Sequence, residues 1–143
     1  LGYLYHMLAM VRAREQGAHE ALFVASDGSV VEGATSNVFS VASGTLTTTP
    51  EESGLLPGIT REVVIELARK EGLDVREAPL ALDALLAADE AFLTGSVKEV
   101  MPLIAIDERR IGSGSPGPIT RLLHQRYREA VEEERLRGVR RAR

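Results

Sequence analysis

Between Glu20 and Ile106, short apolar or β-branched runs closed by glycine- or aspartate-bearing turns alternate with helical patterns, and that alternation leaves few folds open. Glu20 to Ser26 reads as a strand, Asp27-Gly28 as a tight turn and Ser29 to Glu32 as the returning strand. Asn37 to Ala42 and Thr45 to Thr49 follow as a second pair across Ser43-Gly44, the latter rich in β-branched threonine. A connection rich in proline and glycine, Pro50 to Gly58, leads into a helix. That helix, Thr60 to Glu71, sets Val63, Val64, Leu67 and Ala68 on one face and stops at Gly72. Val75 to Pro79 is predicted as a strand, Ala81 to Ala88 as a short helix, and Glu90 to Thr94 and Met101 to Ile106 as strands. Gly112 to Gly117 reads as a flexible linker before a closing helix, Pro118 to Leu136, with proline tolerated in the first turn. Strands that precede and alternate with helices predict a mixed α/β fold, a largely antiparallel sheet with flanking helices.

With 143 residues, 44% of them hydrophobic, the chain suits one folded domain. We expect a core over residues 1–136 and a solvated basic tail over 137–143. A formal charge of −4 argues against nonspecific nucleic-acid binding, which needs a basic surface. No apolar run reaches the roughly 20 residues of a membrane-spanning helix. The absence of cysteine removes disulfides and thiolate chemistry. No secretory signal is visible, so a cytoplasmic location is expected. At the start of the chain, Leu4, Met7, Leu8 and Val11 share a helical stripe running from about Leu1 to Gln16. No capping residue stands ahead of it, so we expect the chain to be part of a longer polypeptide.

Three loops carry candidate chemistry. Glu32 opens the turn Glu32-Gly33-Ala34-Thr35-Ser36-Asn37, and a carboxylate there could keep a pyridine nitrogen protonated, since an opposite charge favours the charged form. Leu56-Pro57-Gly58-Ile59-Thr60-Arg61 offers backbone N–H groups and the Thr60 hydroxyl at a helix N-terminus, a setting that binds phosphate. Gly95-Ser96-Val97 follows an apolar strand and could reach the same phosphate or a substrate carboxylate. Taken singly, each has an ordinary reading: a solvent-facing glutamate at a hairpin end, a Pro-Gly turn with a threonine cap, a strand-to-loop turn. An acid and a phosphate cradle together suit pyridoxal 5′-phosphate. His6, His19 and His124 are too scattered for a metal site. Asp89 and Glu90, as strand neighbours, point to opposite faces and cannot act as an acid–base couple.

Tyr3, Glu32 to Phe39, Leu56 to Arg61, Asp89 to Gly95 and Glu99 to Pro102 occur in the order seen in the class IV aminotransferases, and the chain resembles that family's C-terminal domain up to Leu136. The resemblance implies that Glu32 pairs with the pyridine nitrogen, Tyr3 bonds the ring oxygen and Leu56 packs on a ring face. It also implies that Gly58, Ile59, Thr60 and Ser96 hold the phosphate, that Thr35 and Ser36 lie beside the ring, and that Ser96 and Val97 help seat the substrate carboxylate. The substrates implied are a small amino acid and a 2-oxo acid, and the assembly a homodimer. One departure matters: the family's Schiff-base lysine would fall two residues before Leu1, and the smaller N-terminal domain with its phosphate-binding arginine would precede it. Only Lys70 and Lys98 are present, and Lys98 is expected at the surface. We therefore expect this stretch alone to bind the cofactor weakly and not to transaminate. Two rival readings remain: 4-amino-4-deoxychorismate lyase on the same scaffold, since the Glu-Gly-Ala-Thr-Ser-Asn wording is closer to the D-amino-acid and lyase variants than to the branched-chain enzymes, and a catalytically silent binding or assembly domain.

Overall fold

The structure, a computed structural model, describes residues 2–141, with side chains described to residue 138. The predicted helix start at Leu1 and the last two positions of the predicted basic tail lie outside the described residues. In chain order the elements are α1 (Gly2–Glu15), β1 (Leu22–Val24), β2 (Val30–Gly33), β3 (Asn37–Ala42), β4 (Thr45–Thr48), α2 (Ile59–Lys70), β5 (Asp74–Glu77), α3 (Leu82–Leu86), β6 (Glu90–Gly95), β7 (Glu99–Pro102), β8 (Ala105–Ile106), β9 (Arg109–Arg110) and α4 (Pro118–Arg141).

Five strands form the central sheet in the order β5-β4-β3-β6-β7. Only β4 and β5 run parallel, because α2 lies between them in sequence and carries the chain back as a crossover. The other pairs are antiparallel, as expected for a mixed but largely antiparallel sheet. Strands β1 and β2 make a separate antiparallel ribbon.

Alternation along β3 and β6 divides two cores across this sheet. Phe39 faces Phe92 in register, and their rings stack 4.8 Å apart at 8° on the side covered by α2 and α4. Val64, Ile65 and Ala68 of α2 and Leu123 of α4 complete that layer. Val38 faces Leu93 on the opposite side, with Val30, Leu80, Leu85 and Ile111. Burying side chains of this size contributes about 1.5–3 kcal/mol each, so the two layers carry most of the stability of the sheet.

Three expectations are corrected. The single strand predicted over Met101 to Ile106 is two: β7 pairs with β6, and β8 forms a small hairpin with β9. Pro102 has no N–H to continue the β7 ladder, and the chain turns away after Leu103 donates to Ala91 O. The glycine-rich segment 112–117 is no loose linker. A Cβ at Gly112 would stand 2.1 Å from the Asp89 carbonyl, and one at Gly117 2.3 Å from the Glu90 carboxyl carbon, so both glycines exist for close packing. Helix α4 does not end at Leu136 but runs to Arg141, which makes residues 137–141 of the predicted tail helical. Its start is fixed by Glu90, buried on β6, which accepts from the Ile119 and Thr120 amides (3.2 and 2.7 Å) and the Thr120 hydroxyl (2.7 Å). The stripe of α1 does fall on a helix, and there Leu4, Met7, Leu8 and Val11 are about half exposed; among the described residues only Met10 of that helix is buried.

Candidate functional site

The register of the central strands makes a cleft at one end of the sheet. Asn37, at the start of β3, pairs with Thr94, near the end of β6, so the turn entering β3 and the loop leaving β6 meet there. The N-terminus of α2 is drawn to the same place by two side chains. Asn37 Nδ2 donates to the Leu56 carbonyl at 3.0 Å, and the Leu56 amide donates to Glu32 Oε2 at 3.0 Å. Gly58 makes the approach possible, since a Cβ there would lie 2.5 Å from Asn37 Oδ1. The resulting cleft, about 170 Å³, is lined by residues of all three loops.

Of the residues singled out in the sequence, Glu32, Thr35, Ser36, Leu56, Gly58, Ile59, Thr60 and Ser96 line this cleft together. Two do not. Tyr3 is 79% exposed on α1 and Val97 is 95% exposed at the tip of its loop, and neither is among the lining residues. What reaches the cleft from α1 is His6, one turn on from Tyr3, whose Nε2 lies 3.3 Å from Glu32 Oε1 and whose ring packs 4.5 Å from that of Phe23. Sequence reading considered His6 only as a metal ligand. Its three-residue spacing from Tyr3 on the helix was the available signal.

Electrostatically the cleft joins an acid to a set of free donors. Glu32 sits at one wall with both oxygens engaged, one by His6 and one by the Leu56 amide. The first N–H groups of α2 have no intrahelical acceptor, and no side chain caps the helix at Gly58 among the described residues. Thr94 Oγ1 is buried in the same lining and has no hydrogen-bond partner. An orphaned hydroxyl and an uncapped helix start are what an anionic ligand would satisfy.

Lys98 corrects a further expectation. It is no surface lysine but donates to Glu20 Oε2 at 2.7 Å, with 17% of its side chain exposed and 6% of that of Glu20. The same oxygen accepts from the Thr35 amide (3.1 Å), the Thr35 hydroxyl (2.7 Å) and the Ser36 hydroxyl (2.8 Å). Burial by itself would raise the Glu20 carboxyl, but Lys98, Thr35, Ala21 and Ser36 together outweigh it and hold the group below its ordinary value. Nothing in the local sequence marks Glu20, because its partners other than the Ala21 amide lie 15 to 78 positions away.

The family model described as amino-transferase class IV matches residues 1–106. The chain belongs to the class IV aminotransferases. It is 38% identical over 125 residues to the branched-chain-amino-acid aminotransferase of Escherichia coli, covering 87% of this chain and 40% of that one. It is 37% identical over 139 residues to the D-alanine aminotransferase of Bacillus licheniformis, covering 97% of this chain and 49% of that one. Among solved structures, the branched-chain amino acid aminotransferase of Thermobaculum terrenum in its holo PLP form superposes with a TM-score of 0.85 at 44% identity, covering 90% of this chain and 42% of that one. The chain thus spans less than half the length of these relatives.

Proposed function

We propose that this chain is the cofactor-cradling part of a pyridoxal-phosphate-dependent aminotransferase that moves an amino group between a small amino acid and a 2-oxo acid. The convergence of Glu32, the uncapped start of α2 and the loop at Ser96 in one cleft carries the reading. The residues present fit such a ligand. Ile59 and Thr60 offer amides at the positive end of α2, with Gly58 allowing close approach, and Ser96 stands across the cleft. Thr94 supplies a hydroxyl in need of a partner. Leu56, exposed at the cleft wall, offers an apolar face to a ring.

Glu32 is the one carboxylate lining this cleft among the described residues, and it would hold a proton on the ring nitrogen by opposite charge. Bound there, the protonated ring supplies the electron sink that an amino-acid α-carbon needs to lose its proton. Thr35 and Ser36 act differently from what their position suggests. Each hydroxyl has a single hydrogen, already given to Glu20, so towards the cleft both can only accept. They therefore suit the donor side of a ligand and not its phosphate.

Equilibrium dialysis of the 143-residue chain against pyridoxamine 5′-phosphate tests this reading. We expect one saturable, reversible site, competed by inorganic phosphate. Replacing Glu32 with Gln should weaken it by about tenfold, the worth of one charge-assisted hydrogen bond. Binding that ignores Glu32→Gln and Thr60→Ala, or no saturable binding, overturns it. With the complete protein, amino transfer to 2-oxoglutarate against pyruvate release from aminodeoxychorismate separates transferase from lyase.

A further inference from the structure

We propose that Glu20 and Lys98 form a latch that sets the width of the cleft, Glu20 being a positioning residue for the two loops that face each other across it. The register of the β1–β2 ribbon, Leu22 opposite Gly33, brings Glu20 beneath the turn at Ala34 to Ser36. There its carboxylate gathers three donors from that turn and one from Lys98 of the loop after β6. The two loops are packed to their limit. A Cβ at Gly33 would lie 2.2 Å from Ser36 Oγ, and one at Gly95 would lie 2.9 Å from the Thr35 carbonyl. Glu20 is thus the shared anchor of both cleft walls while lining neither the phosphate end nor the Glu32 end.

A buried carboxylate with one cationic partner is a two-position device. Losing either partner leaves the other charge half-buried and unpaired, which is why the pair acts as a unit. Without Lys98 the loop carrying Ser96 keeps its strand pairing at Asn37 and Thr94 but loses this side-chain tie to the turn carrying Thr35 and Ser36. Without the Glu20 charge, the hydroxyls of Thr35 and Ser36 are freed to donate into the cleft. The latch itself stands on contacts within this chain, and only its effect on a ligand rests on the reading of the cleft given above.

Amide hydrogen exchange and dialysis of the whole chain test it through Lys98→Met, Glu20→Gln, their combination and Lys98→Arg. We expect Lys98→Met to speed exchange of the Thr35 amide and to weaken pyridoxamine 5′-phosphate binding, each by about tenfold. Core amides at Phe39 and Phe92 should stay unchanged. The double variant should be no worse than either single one, and Lys98→Arg should restore both readouts. Unaltered exchange at Thr35 in Lys98→Met overturns the latch, as do additive effects in the double variant or failure of Lys98→Arg to rescue. Should Glu20→Gln fail to fold, Lys98→Met, which alters only the cationic half of the pair, still decides. If the unmodified chain binds no pyridoxamine 5′-phosphate, the functional reading falls while the exchange data judge the latch by themselves.

Discussion

The central sheet with α2 and α4 and the leading helix α1 solve the same problem differently. Phe39, Phe92, Leu46, Val64 and Leu123 lose essentially all contact with solvent, and each is packed from at least two elements. On α1 the apolar side chains at positions 4, 7, 8 and 11 remain 48–57% exposed. Both regions place apolar residues at helical spacing in the sequence, although on α1 further apolar side chains lie off the stripe. An apolar stripe therefore says which residues gain from leaving water, and it does not say whether the same chain supplies the cover. Here α2 is covered and α1 is not.

The largest effect should come from removing half of the stacked pair. Phe92→Ala is expected to cost about 3–5 kcal/mol, because a ring packed between the sheet and its covering helices leaves a cavity that cannot collapse. Urea unfolding of the variant checks this, and a loss under about 1 kcal/mol would mean that the sheet–helix body is less self-sufficient than its burial implies. Glu90→Ala comes next. It strips the acceptor from two amides and a hydroxyl at the start of α4, and a lost N-terminal cap costs about 0.5–2 kcal/mol. Since Gly117 packs against the same carboxylate, Glu90→Gln should recover part of the loss.

Glu20 gives the body a pH signature. Its folded-state carboxyl is held below the ordinary value of 4.5, so its stabilisation is complete above that value and is lost as the pH falls through the lower folded-state one. Thermal unfolding scanned from pH 6 downward should therefore decline less steeply in Glu20→Gln than in the parent chain. Equal slopes would place the acid sensitivity elsewhere.

The parts of the fold legible beforehand were those written in local pattern. The hairpin at Ser43-Gly44, the strands at Asn37 to Ala42 and Glu90 to Thr94, and the helix stopped at Gly72 all follow from turn residues and periodicity. Three site loops were legible for the same reason, each being a short run with its own chemistry. The latch under them was not. Glu20 and Lys98 sit in ordinary surroundings 78 positions apart, and only the register of two separate sheets brings them together. The split of the last long strand hangs on the proline at 102, which removes a ladder donor within a run whose apolar character alone suggests one strand. Lys98, a charged loop residue, reads as solvated because its partner is remote in sequence.

The smallest expected effect is also the one that bears most directly on the contrast between α1 and the body. If the apolar stripe of α1 is uncovered in the isolated chain, Leu8→Ser removes little buried surface, and the unfolding free energy should stay within about 0.5 kcal/mol of the parent. Amides of α1 should then exchange before those of β3 and β6, since few tertiary contacts oppose its opening. A cost above about 1 kcal/mol would show that something covers the stripe in solution. Repeating the unfolding at tenfold higher chain concentration identifies one such cover, because a second copy that binds only the folded state raises the midpoint with concentration, whereas cover within one chain does not.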